Sequence, residues 1–231
     1  MKIYAIFRNR IFAASALIGV LLFLLSVMDG LLVSDTRTGI QTAGADSHLG
    51  ILGQQAPNLN LNNWINGDGK KIDAVKLSAY RGKVIYLYFF QDWWPACQRV
   101  GFPTLKKLTQ IFKDIDKVRF LAVQTVFEGF GSNSEDKLRK NQLKYDLKIP
   151  MAHAPGNPQT HRIPEIMRKY RSGGTPWTVI IDPEGRVVFN QFHIDANLAA
   201  ELIKVMLSKD YHPQNWKIKS SRKTTSRLDG N

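Results

Sequence analysis

One cysteine, Cys97, stands among 231 residues. An intramolecular disulfide is therefore excluded, and with it the small cross-linked scaffolds on which many secreted domains depend. No segment repeats at a fixed period, which excludes solenoids and propellers. Histidines are few, and His153 and His161 in "HAPGNPQTH" match no standard ligand spacing even with Cys97 added. No metal site and no cofactor are expected. The formal charge of +13 comes from 32 basic and 19 acidic residues and invites a nucleic-acid reading. However, the basic stretch "QNWKIKSSRKTTSRLDGN" has no interleaved aromatic platform and no recognition motif. It reads as a solvated, disordered tail over 209–231 with some attraction to anionic lipid heads, and no nucleic-acid partner is expected.

With 44% apolar and 22% charged positions, the chain has enough apolar residues for one full core. At its start, Lys2, Arg8 and Arg10 precede an uncharged, mostly apolar run from Ile11 to Met28. That run is about long enough as a helix to cross the hydrocarbon layer, and it carries no polar stripe of the kind a globular helix shows. The basic flank predicts an N-terminal transmembrane helix within 1–30, with the remainder on the extracytoplasmic, periplasmic side. The small-x-small "AGA" at 43–45 lies too far past the run for ordinary cleavage, so the anchor is expected to stay. Residues 31–56 have a linker's composition.

The remainder, 57–208, alternates strand and helix patterns. "KVIYLYFF" at 83–90 is continuously apolar after its lysine, as a central strand covered on both faces requires. Thr104 to Ile115 follows as an amphipathic helix, with Leu105, Leu108, Phe112 and Ile115 inward. A second strand, "VRFLAVQTV", leads through a Gly-rich loop to a helix whose start carries a capping box, Ser132 to Glu135. Strand–helix–strand–helix points to a parallel core. "KIPMAH" predicts a short strand, and Pro164 to Tyr170 a short helix. "PWTVIIDPEGRVVFNQF" predicts a hairpin turning at Pro183 to Gly185. Asp195 caps a last helix through Leu207, with Leu198, Leu202 and Val205 inward.

Two stretches within this order carry a resemblance. "LSAYRGKVIYLYFFQDWWPACQRVGFPTLKKL" resembles the opening of TlpA/ResA-like membrane-anchored thiol–disulfide oxidoreductases of the redoxin (AhpC/TSA) superfamily. In those proteins a strand enters W-C-x-x-C, and a helix proline lies six residues past the second cysteine. Trp93 matches the leading tryptophan, Cys97 the second cysteine and Pro103 the helix proline. "GGTPWTVIIDPEGRV" is similar to the family's G-T-P segment, whose proline is cis and faces the cysteines. The resemblance runs from Ala56 to Leu207. It implies an α/β, thioredoxin-like fold with a central mixed sheet flanked by helices, a cis Thr175–Pro176 bond, and protein thiols or disulfides, or a peroxide, as substrate.

Trp94 stands where the family has its attacking cysteine, at the helix start that favours a thiolate. An indole cannot attack a disulfide, and dithiol exchange needs two sulfurs. Four readings of Trp94 and Cys97 stay open: an oxidoreductase with an altered WxxC site, a catalytically inactive binding module, a one-cysteine peroxidase, and a selenocysteine (UxxC) enzyme whose UGA codon is read as Trp94. The peroxidase reading fits less well. The peroxiredoxin pattern P-x-x-x-T-x-x-C has Phe90 and Trp94 where its proline and threonine belong. Cys97 and Trp94 are the candidate catalytic positions. Trp93, Pro95, Thr175, Pro176 and Trp177 are the candidate substrate or partner contacts, because backbone beside Pro176 is placed to pair with an extended peptide. Trp177 is expected to pack near Trp93 or Trp94. Glu128 in "QTVFEGF" falls where the resemblance allows an acidic residue near the cysteines, although an exposed loop carboxylate is the commoner role.

Overall fold

Apolar runs in this chain become strands where both faces can be covered, and the computed structural model, which describes residues 49–212, shows how. The expected membrane segment at 11–28, most of the 31–56 linker and the tail from 213 lie outside the described residues. Among those described, no helix is long and apolar enough to cross a membrane.

The strands are β1 (Trp64–Ile65), β2 (Lys71–Ile72), β3 (Val84–Phe90), β4 (Val118–Val126), β5 (Met151–Pro155), β6 (Trp177–Ile181) and β7 (Val187–Gln191). They form one sheet in the order β2-β1-β5-β4-β3-β6-β7. β3, β4 and β5 pair in parallel, as the alternating pattern predicts, while β6, β7, β1 and β2 join antiparallel. The sheet is therefore mixed. All seven residues of β3 are buried, with Tyr86, Tyr88 and Phe90 in one core and Ile85, Leu87 and Phe89 in the other.

The helices are α1 (Phe102–Ile111), α2 (Lys137–Tyr145), α3 (Glu165–Lys169) and α4 (Ala196–Leu207). α1 and α4 cover the face carrying Tyr88, and α3 lies against the other. The Asp195 carboxylate accepts the Asn197 and Leu198 N–H groups, so the expected cap forms.

Three local expectations fail for physical reasons. Leu198 is 62% and Val205 43% exposed, while Ala199, Ala200, Leu202, Ile203 and Met206 point inward. α4 thus sets Ala199 and Ala200 beside Leu202, Ile203 and Met206 on its inward face, and of the three expected inward positions only Leu202 is buried. Ile115 is likewise exposed, because α1 stops at Ile111 and the chain turns at Phe112. No capping box forms at Ser132–Glu135: Ser132 ends a short 3₁₀ turn, Phe130–Ser132, and the next helix starts at Lys137. The loop is held instead by Asn133, as described below.

The domain also extends beyond 57–208. Ile51 is buried, and the Gly53 and Ala56 N–H groups donate to the Val187 and Gly185 carbonyls. At the other end the Tyr211 hydroxyl donates to the Asp182 carboxylate at 3.1 Å.

Candidate functional site

β3 ends at Phe90, and four residues carry the chain into the first long helix. The Trp94 N–H donates to the Gln91 carbonyl at 3.4 Å, and the Trp94 carbonyl accepts the Gln98 N–H at 3.2 Å, the first i→i+4 bond of the helix. Trp94 is therefore the N-cap, with Pro95 at the first helical position, where a missing N–H costs nothing. A preferred cap side chain would accept N–H bonds here, and an indole cannot. Trp94 is instead 40% exposed and meets Trp93 edge-on, with ring centroids 5.2 Å apart.

The helix widens into a π turn at Cys97–Gly101, where the Phe102 N–H reaches back five residues to the Cys97 carbonyl. Pro103 gives the cause: its ring has no N–H to donate and would crowd the carbonyl of residue 99 in a regular α turn. The Tyr88 hydroxyl donates to that same Cys97 carbonyl at 3.2 Å. Tyr88 lies so close beneath the turn that a Cβ at Gly101 would collide with its ring and hydroxyl.

Cys97 itself has no exposed surface. Its Sγ accepts the Gln91 N–H at 3.5 Å. Burial pushes the Cys97 thiol above its ordinary pKa, and the hydrogen bonds offset only part of that. A thiol so placed is protonated at neutral pH, whereas the thiolate is the nucleophile. The site holds a sulfur without activating it.

The register of β3 with β6, Phe89 opposite Trp177, brings Thr175–Pro176 to this end of the sheet. The bond between them is cis, as the resemblance implies. Thr175 and Pro176 are both buried. Trp177 is 1% exposed and sits away from the Trp93–Trp94 pair, contrary to expectation. Its Nε1–H donates to Asn190, and its ring packs edge-on against Phe192 at 4.9 Å. Strand alternation explains this, since Trp177 points into the core on the sheet face opposite Cys97. Of the expected contact residues, Trp93, Trp94 and Pro95 face solvent, while Cys97, Thr175, Pro176 and Trp177 lie beneath.

The residue that joins these parts has no sequence signal. Asn133, 1% exposed, accepts the Asp92 N–H at 2.7 Å and donates to the Glu128 and Gly129 carbonyls at 3.1 Å each. Its oxygen also accepts from Gln124, whose own oxygen lies 3.2 Å from His153 Nδ1. Asn133 thus ties the turn that presents Trp93 to the loop after β4. In that loop Gly129 has φ 54°, and a Cβ there would lie 2.5 Å from the Trp93 Nε1. Glu128 takes part through its backbone, donating its N–H to Gln91 Oε1 at 3.2 Å. His153 is tied to Gln124, and burial lowers its pKa. His161 sits on the loop before α3 with φ 49°.

Known proteins are similar to this chain in family profile and in fold. The AhpC/TSA family profile matches residues 52–190. A crystal structure of a thioredoxin-like superfamily protein is 29% identical, with a TM-score of 0.59 over 68% of this chain and 99% of its own. A thiol-disulfide isomerase from Corynebacterium glutamicum is also 29% identical, with a TM-score of 0.57 over 67% and 97%. A putative thiol:disulfide interchange protein DsbE from Chlorobium tepidum, 23% identical with a TM-score of 0.51 over 68% and 99%, shares the fold. No curated protein matches the chain.

Proposed function

Because the chain belongs to the AhpC/TSA family and has its thioredoxin-like fold, we propose that it works as a partner-binding redoxin whose dithiol chemistry has been given up. Trp93, Trp94 and Pro95 form its contact surface. One observation carries this reading: at the family's reactive helix start an indole is 40% exposed, while the only cysteine is fully covered one turn deeper. Solvent-facing tryptophans offer a large, rigid contact area, a common anchor of protein interfaces. The partner is a protein of the kind such domains meet, presenting thiols or disulfides. The domain faces the extracytoplasmic side, held to the membrane by residues 11–28.

A photo-crosslinking residue at position 95 tests the surface. Adducts with the same partner in the native chain and in Cys97→Ser are expected, together with no reduction of insulin disulfides by either. Turnover by the native chain that disappears in Cys97→Ser identifies a monothiol enzyme instead. Digestion of the domain by external protease in cells with a permeable outer layer checks the topology, and full protection overturns it.

A further inference from the structure

α2 reads "KLRKNQLKY", four cations in nine residues with no acid. Lys137, Lys140 and Lys144 are spaced by three and four residues and share one helix face. With Asp92, Gln98 and Asn141 they line an open cleft of about 310 Å³. Its single carboxylate is already satisfied: Lys137 Nζ lies 3.1 Å from Asp92 Oδ2, and Asn141 donates to Oδ1 at 2.8 Å. Lys144 donates to the neutral Gln98 Oε1 at 2.7 Å. Lys140 pairs with Asp136 at the rim, where both side chains are more than half exposed, a pairing that water and salt weaken. Three ammonium groups thus face a lining with one carboxylate.

The cleft adjoins the tryptophan pair. Gln98 donates its backbone N–H to the Trp94 carbonyl and its side-chain Nε2 to the Asp92 carbonyl at 2.7 Å. Asp92 and Gln98, which line the cleft, therefore stand at either end of the short segment that carries the exposed indoles.

We infer that this cleft receives the carboxylates of an acidic, extended segment of the partner protein while its apolar side chains rest on Trp93 and Trp94. The spacing favours carboxylates on alternate residues. Such residues on an extended strand lie about 6.6 Å apart on one side, close to the rise of about 6 Å between Lys140 and Lys144 on their helix. Nucleic acid suits the cleft less well. Its phosphates repeat about every 3.4 Å along a strand and need a longer basic track, whereas here three lysines span about 10 Å.

The inference deepens the partner-binding reading and rests on it. The test uses the full chain and a fluorescein-labelled hexapeptide alternating glutamate and valine, followed by anisotropy. Binding is expected to weaken with salt and to fall about tenfold or more in Lys140→Glu/Lys144→Glu, where two exposed pairs become repulsive. It should persist in the control Lys106→Glu/Lys113→Glu and be lost when glutamine replaces glutamate. If the charge reversal perturbs folding by circular dichroism, Lys140→Gln/Lys144→Gln replaces it, with a smaller loss expected. Equal binding by the native chain and the cleft variant overturns the inference. So does tighter binding of single-stranded DNA or phosphatidylserine vesicles through the same lysines. Partner crosslinking at position 95 that survives the cleft variant alongside unchanged peptide binding removes this inference but leaves the binding surface standing. Crosslinking absent in the native chain removes both.

Discussion

Replacing Trp94 by cysteine should restore dithiol chemistry, because everything around that position is still in place. The Trp94 carbonyl receives the first helical N–H, so a thiol there sits at the N-cap, facing unpaired N–H groups and the positive end of the helix. A free thiol with pKa about 8.5 is roughly 3% ionised at pH 7, and a helix-start thiol brought near pKa 7 is about half ionised, a gain of ~15-fold in attacking thiolate. Residues three apart at a helix start bring their Cβ atoms to about 5–6 Å, and modest adjustment closes a disulfide to Cys97. Since Trp94 is 40% exposed, trimming its indole forfeits on the order of 1–2 kcal/mol, which a domain of this size tolerates. The assay is insulin reduction with dithiothreitol as electron donor, alongside mass spectrometry of the oxidised protein. Trp94→Cys should turn over and show a 94–97 disulfide, and Trp94→Cys/Cys97→Ser should lose both. Two results refute the reasoning: turnover by the native chain that depends on Cys97 alone, or a folded Trp94→Cys variant with neither activity nor disulfide.

The buried thiol has a pH consequence. The folded pKa of Cys97 is raised, so its contribution to stability is complete below the unfolded thiol's pKa and is lost as pH rises through the folded value. Denaturation midpoints should therefore fall from about pH 8.5 upward. Cys97→Ala should remove the early part of that fall and leave the part due to tyrosines such as Tyr86, whose pKa burial lifts to about 12. Asn133→Ala leaves the Asp92 N–H and the Glu128 carbonyl without their partner, while the Gly129 carbonyl keeps the Ser132 N–H. A loss of about 2–4 kcal/mol by chemical denaturation and faster proteolysis within 127–133 are expected, and a loss under about 1 kcal/mol contradicts the tie. Gly129→Ala should cost about 1–2 kcal/mol through its positive φ and its clash with Trp93. In a Trp93→Ala background the clash part should vanish, and a double-mutant cycle with no coupling sinks the contact.

Local chemistry made much of this protein legible from its sequence. β4 occupies Val118–Val126 as its apolar run predicts, the hairpin turns at Pro183–Gly185, and Asp195 caps the last helix. Each depends on neighbours a few residues away, so the pattern carries it. The W-x-x-x-C and G-T-P stretches likewise placed Trp94 at the helix start and Thr175–Pro176 at the same end of the sheet.

Other features depend on what the fold brings together across long separations. Which side of α4 faces inward was settled by how Ala199, Ala200, Leu202, Ile203 and Met206 fit together against the core, leaving Leu198 and Val205 outside. Trp177 pairs with Phe192 because strand alternation sends it to the far face, away from Trp93 and Trp94. Asn133, in a loop with the composition of a surface turn, becomes a fully buried hub because Asp92, 41 positions earlier, is folded against it. The basic cleft exists only because α2 packs beside residues 92–98, which turns a helix of scattered lysines into one wall of a charged groove. A single chain of letters records which groups are present. The burial of Cys97 and the company of those lysines follow from contacts between segments far apart in sequence, where packing decides.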